Sequence, residues 1–190
     1  MKLTELGVAG AYLIELEPIT DARGEFVRLW DAEGFAEYGL GMHMGQVSAA
    51  RNLRQGTLRG LHYQDPPHAE TKIVRCIAGA LFDVIADLRP GSPTYLRHEC
   101  IEMSQRESRA LWIPKGCAHG YQTLADETCV EYFIDAVYKP EYARGIRYDD
   151  ITLGIQWPLP VTSISDRDRG FPPLVPNTPQ TPRVPCASRS

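Results

Sequence analysis

No stretch of this 190-residue sequence is apolar for long enough to cross a membrane as a helix, and no run of Lys and Arg forms a basic patch. With a formal charge of −4, the chain lacks the electrostatic footprint of a protein that grips a nucleic-acid backbone or an anionic bilayer. A small anionic ligand is still admitted, because a few local arginines suffice. The opening MKLTELGVAGAY lacks the basic segment and long apolar run of a secretory signal, so a cytoplasmic location is expected. Cysteine pairs are missing too. The five cysteines, Cys76, Cys100, Cys117, Cys129 and Cys186, are odd in number, widely spaced and free of any CxxC, which predicts reduced, mostly buried thiols. Helical periodicity is scarce: DAEGFAEYG, with Asp31 as a cap and Gly39 as a stop, is the best candidate. No repeat of fixed period appears, which argues against a solenoid or propeller.

What is present reads as β structure. A hydrophobic content of 43%, with 16 glycines and 15 prolines, fits one turn-rich globular domain. From Thr57 to Ile134 short β-like runs alternate with turn residues: TLRGLHYQ, TKIVRCI, ALFDVIADL, RHECIEM, ALWIP and TCVEYFI. That spacing suits an antiparallel sandwich or barrel. The Ala78-Gly79 step predicts a tight hairpin between paired strands, and Arg89-Pro90-Gly91-Ser92 a second turn. Six prolines crowd the stretch from Pro172 to Pro185, where no strand ladder could be sustained. Residues 1–175 are expected to form the domain, and 176–190 a disordered or docked tail.

Several residues sit oddly for packing alone. In TLRGLHYQ, period-two alternation puts Leu58, Gly60, His62 and Gln64 on one face and Arg59 on the other. Both His62 and Arg59 can serve one pocket only if Gly60 permits a bulge that re-aims the strand. A lone strand histidine is more commonly a satisfied core or rim residue. Lys72 falls with Val74 and Cys76 on the apolar side of its strand, and Tyr132 with Val130 and Ile134 on theirs. A buried ammonium is expensive unless paired, so a lysine there favours a ligand contact over edge snorkelling, whereas a tyrosine packs well in any core. IPKGCAHGY contains Pro-x-Gly-x-x-His, a hallmark of cupin barrels, and places His119 after a turn that enters a strand. Metal-dependent cupins add His-x-His and a glutamate. Here only His62-Tyr63-Gln64 and then Glu70 are available, so metal-free use of the histidines is favoured over a His62, Glu70, His119 site with or without Gln64. Arg23, Arg59 and Arg167 supply guanidinium forks suited to a pyrophosphate.

Taken in order, DARGEF, GTLRGLHYQ, the Lys72 strand, FDVIADLR, IPKGCAHGYQTL, YKPEYARGIRY and SDRD resemble the dTDP-4-dehydrorhamnose 3,5-epimerase family, over about Gly7 to Pro173. RGLHYQ, Pro-x-Gly-x-x-His-Gly and a late Ser-x-x-Asp form a specific combination. The resemblance implies a mainly β, cupin-type jelly-roll barrel with a few short peripheral helices, a homodimer in which an N-terminal strand crosses to the partner, and no metal or other cofactor. It implies a nucleotide-diphosphate keto-deoxysugar as substrate, with His62 as general base, Asp168 orienting it, Lys72 facing the enolate and Tyr132 as the opposing acid. His119 and Arg59 would contact sugar and pyrophosphate, and Arg23 a phosphate across the dimer. Tyr138 and Phe26 would lie near the ligand, with Gln46, Ser48 and Arg167 also in the binding set.

This chain departs from the family pattern at Arg28, where a glutamate is common. It departs again in Gln46-Val47-Ser48-Ala49-Ala50 where Gln-x-Asn-x-Ser is frequent, and at Ala143 and Arg167 for a common glutamate and lysine. The first change leaves the nucleotide base open, and the others leave open whether C3, C5 or both are inverted. A catalytically silent sugar-nucleotide-binding cupin and a metal-dependent cupin remain the competing readings.

Overall fold

The computed structural model describes residues 1–174, and the expected tail lies outside the described residues. Thirteen strands and two short helices follow in the order β1 (Lys2–Glu5), β2 (Tyr12–Glu15), β3 (Ile19–Asp21), β4 (Gly24–Phe26), α1 (Ala32–Ala36), β5 (Gln46–Asn52), β6 (Leu58–Gln64), β7 (Lys72–Ala78), β8 (Ala80–Asp87), β9 (His98–Ser104), β10 (Arg109–Ile113), β11 (Cys117–Thr123), β12 (Thr128–Ile134), β13 (Ala143–Gly145) and α2 (Asp166–Arg169). Two antiparallel sheets face one another, ordered β1-β2-β10-β7-β12-β5 and β13-β6-β11-β8-β9, with β3-β4 as a separate hairpin. This is the expected mainly β jelly roll of cupin type.

Alternation along the strands builds the interior. Val74 and Cys76 of β7, Leu81 and Ile85 of β8, Leu111 and Ile113 of β10, Tyr121 of β11 and Val130 of β12 meet between the sheets. The opposite face of the five-stranded sheet is covered as well: Phe82, Val84 and Ala86 pack against Ile146, Leu153 and Ile155. With both faces covered, β8 is buried from Leu81 to Asp87. On the outer face of the other sheet, Ile73 and Trp112 pack with Phe35 of α1. Asp31 caps that helix as expected, its carboxylate accepting from the Glu33 and Gly34 amides at 3.2 Å each.

The structure corrects the expected hairpin at Ala78-Gly79. β7 pairs with β10 and β12, and β8 with β9 and β11, so the chain crosses from one sheet to the other at Gly79 instead of folding back. Gly79 has φ +72°, and a side chain there would collide with Thr128. The Arg89–Ser92 turn forms as expected, closed by the Ser92 amide donating to the Arg89 carbonyl at 3.1 Å. Cys76, Cys117 and Cys129 are free thiols. Burial pushes the Cys76 thiol up to about 11 and that of Cys117 to about 12, so neither is a ready nucleophile.

Candidate active site

Between β5, β12 and the start of β7 on one side and β6, β11 and β13 on the other, the interior opens into a cavity of about 270 Å³. Gln46, Ser48, Arg59, His62, Lys72, His119, Tyr132, Tyr138 and Arg167 all line it.

The expected bulge at Gly60 brings Arg59 and His62 together. His62 pairs with His119 and Arg59 with Tyr121, so two residues of β6 oppose the single Gly120 of β11. Gly60 has φ +117° and lies against Gly120 so closely that a side chain would strike the Gly120 backbone. Its amide donates to Asp168 Oδ2 at 3.0 Å. The other oxygen, Asp168 Oδ1, lies 2.7 Å from His62 Nε2. With Nε2 protonated toward this carboxylate, Nδ1 is left with the lone pair. Burial raises the Asp168 carboxyl, but hydrogen bonds from His62, Gly60 and Ser165 outweigh it and hold the group below the ordinary aspartate range. Asp168 is therefore ionised at neutral pH.

Asp168 is delivered by α2, a single turn of helix. Ser165 caps it, its hydroxyl accepting from the Asp168 amide at 3.0 Å, and Gly170 ends it. Asp168 is its one buried residue.

Lys72 lies inside the barrel with its side chain 8% exposed, and Glu70, 10% exposed, is its counter-ion at 2.8 Å. Nζ also donates to the His62 carbonyl at 3.3 Å. Glu70 accepts from Gln64 Nε2 at 2.9 Å, while Gln64 Oε1 accepts from the Lys139 amide at 2.7 Å, which ties the loop bearing Tyr138 to the Lys72 pair.

Tyr132 enters from the opposite sheet. Burial, with the neighbouring Tyr121 hydroxyl and Asp83 carboxylate, holds its phenol well above the ordinary range, so it is protonated at neutral pH. Its ring meets that of His119 edge-on at 6.0 Å. His119 Nε2 pairs with Asp83 Oδ2 at 2.9 Å, both side chains nearly inaccessible, and Asp83 Oδ1 has no hydrogen-bond partner among the described residues. The sequence reading missed Asp83. Its signal was the oddity that singled out Lys72, a charged side chain on the inward parity of an apolar strand.

Arg59 donates to the neutral Asn52 Oδ1 at 2.8 Å and Arg167 to the Tyr138 hydroxyl at 3.4 Å. Among the described residues neither guanidinium is matched by a carboxylate. The cavity thus carries two uncompensated cations suited to a diphosphate.

Arg23 and Phe26 do not join the cavity. They sit on the exposed β3-β4 hairpin, Arg23 paired with Asp21 and Phe26 62% exposed. His62, Glu70 and His119 are each paired with a different residue, Asp168, Lys72 and Asp83. Among the described residues no group of three or more His, Cys, Asp or Glu side chains is placed to hold a metal ion. No helix among them is long and apolar enough to cross a membrane.

Comparison with known proteins converges on one family. The family model for dTDP-4-dehydrorhamnose 3,5-epimerase matches residues 5–175. The chain is 38% identical over 175 residues to the dTDP-4-dehydrorhamnose 3,5-epimerase of Sinorhizobium fredii, covering 92% of this chain and 90% of that one. It is 41% identical over 169 residues to that of Methanothermobacter thermautotrophicus, covering 87% and 90%. The crystal structure of the Bacillus anthracis enzyme, with TDP and PPi bound, superposes with a TM-score of 0.88 at 35% identity, covering 91% of this chain and 99% of that one. This chain belongs to the dTDP-4-dehydrorhamnose 3,5-epimerase family.

Proposed function

We propose that this protein inverts C3 and C5 of a dTDP-4-keto-6-deoxyhexose by proton transfer through an enolate, and the observation that carries this reading is the opposition of His62 and Tyr132 across one cavity. A ketone at C4 acidifies the hydrogens on both neighbouring carbons. His62 Nδ1 takes the proton from one of them. The C–H electron pair becomes part of a double bond to C4, and the carbonyl pair moves onto oxygen. The Lys72 ammonium faces that developing charge. Asp168 holds the imidazole in the competent tautomer and stabilises its cation. Tyr132, on the facing sheet, returns a proton to the other face of the same carbon, which restores the ketone with inverted configuration. The imidazolium and phenolate then reset by exchange with solvent, and the second carbon follows the same course. The scheme requires no metal or cofactor.

Arg59 and Arg167 match the two negative charges of a nucleoside diphosphate, while Tyr138, half-exposed at the mouth, offers a flat surface to a base. Gln46, Ser48 and His119 are the sugar-facing polar groups. Residues 1–175 act as one catalytic domain in the cytoplasm. The chain works as a homodimer in which the N-terminal β3-β4 hairpin crosses to the partner, carrying Arg23 and Phe26 to its ligand. The exposure of every strand residue of that hairpin, Ile19 at 70% and Phe26 at 62% among them, supports this assignment.

In D2O with dTDP-4-keto-6-deoxyglucose, deuterium is expected at both C3 and C5 of the product, and the His62→Ala variant should lose this incorporation. Intact TDP binding with no incorporation at either carbon would overturn the assignment. Incorporation at C3 alone would reduce the enzyme to a single epimerisation.

A further inference from the structure

We propose that Phe171 is a positioning residue that wedges the His62–Asp168 pair into its working geometry, with Gly145 as the socket that receives its ring. The inference rests on the reading of His62 as the base. α2 comprises four residues, too few to hold a helical turn without tertiary contacts. Upstream it is anchored by its Ser165 cap and by the Leu58 amide, which donates to the Ser163 carbonyl at 2.8 Å. Downstream, the first large apolar side chain is Phe171.

Gly145 pairs directly with His62 in the β13-β6 ladder. A Cβ at Gly145 would collide with three carbons of the Phe171 ring. Gly145 is absent from the positive-φ glycines, so the need for glycine here is one of space and not of backbone conformation. Seated over that backbone, the ring meets His62 edge-on at 5.8 Å and 76°. Its face receives the Arg167 guanidinium at 5.6 Å from the centroid. One side chain therefore touches the base, the residue preceding the orienting carboxylate and the strand paired with the base. His62 is 39% exposed while Asp168 is 6% exposed, so the imidazole has room to turn unless something beside it limits that freedom. Phe171 is that limit.

The test is a cycle of three variants, Phe171→Ala, Gly145→Ala and the double variant. Each is assayed for deuterium incorporation with dTDP-4-keto-6-deoxyglucose and for TDP affinity. Since small misplacement of a reacting group costs up to about 10²-fold in rate, Phe171→Ala is expected to lower kcat about tenfold or more with a smaller change in KM. Gly145→Ala, which expels the ring, should lower kcat similarly. In the double variant the new methyl group fills the vacated space, so its kcat should be no lower than that of Phe171→Ala. Phe171→Leu should recover part of the loss. Wild-type kcat in Phe171→Ala would overturn the proposal, as would independent, multiplying losses in the double variant. Should Gly145→Ala fail to fold alone, the Ala and Leu variants at 171 still decide. His62→Ala run alongside separates the two claims, because wild-type incorporation there would sink the reading of the base itself.

Discussion

The two halves of the barrel interior are built from the same strands and do opposite things. On β7, Val74 and Cys76 disappear into an apolar cluster with Leu81, Ile85, Leu111 and Val130, while Lys72, two residues before Val74 on the same face, enters the cavity as one half of an ion pair. On β12 the step from Val130 to Tyr132 makes the same change. A single inward-facing row thus passes from core to chemistry within one or two alternations. The polar half tolerates its burial because its buried side chains are partnered: His62 with Asp168, His119 with Asp83, Lys72 with Glu70. The two cations left over, Arg59 and Arg167, lie at the exposed side of the cavity, where an anionic ligand would arrive. Packing holds the first half together and pairing holds the second, so substitutions in the two halves should separate stability from rate.

The largest separation is expected at His62. Replacing it with Ala should reduce deuterium incorporation by about 10²–10⁴-fold, the usual contribution of a general base, with TDP affinity nearly unchanged. A similar loss in TDP affinity would mean that His62 binds more than it reacts. Next comes Lys72. Lys72→Met, made together with Glu70→Gln so that no buried carboxylate is left unpaired, should cost about 10²-fold in kcat with little change in KM, because the charge it faces develops only on deprotonation. A rise in KM alone would assign Lys72 to ground-state binding.

On the apolar side the pattern should reverse. Leu81→Ala, at a position with no exposure, should destabilise by about 2–5 kcal/mol in denaturant unfolding, yet leave the kcat of the folded fraction close to wild type. The smallest effect is a pH dependence of stability. The native Asp168 carboxyl titrates below its unfolded value, so its ionised form adds stability at neutral pH that is lost as pH falls from about 3.9 through the native value. The difference in melting temperature between wild type and Asp168→Asn should narrow in acid. A gap independent of pH would show that the carboxylate charge contributes nothing to folding.

Much of this was legible from residues alone, for identifiable reasons. Lys72 and Tyr132 stood out because period-two alternation is strict, so a polar residue on an inward row is conspicuous. Gly60 was readable as a bulge because Arg59 and His62 could not otherwise share a pocket. Asp83 obeyed the same rule and was overlooked, since one aspartate in an apolar strand does not announce a histidine on the neighbouring strand. Asp168 could be placed only through resemblance. It lies more than a hundred residues from His62 on one helical turn, and no local pattern encodes that contact. The crossing at Gly79 was misread because a glycine between two strand-like runs looks the same whether the strands pair or part. Phe171 gave no signal at all, as its importance comes from the emptiness of Gly145.

The central claim is that proton removal and proton return come from opposite walls, and the Tyr132→Phe variant in D2O tests it most directly. If His62 removes the proton and Tyr132 returns it, this variant should still exchange deuterium into recovered substrate with retained configuration, while forming little inverted product. Inversion at the wild-type rate, or loss of exchange together with inversion, would contradict the two-wall account.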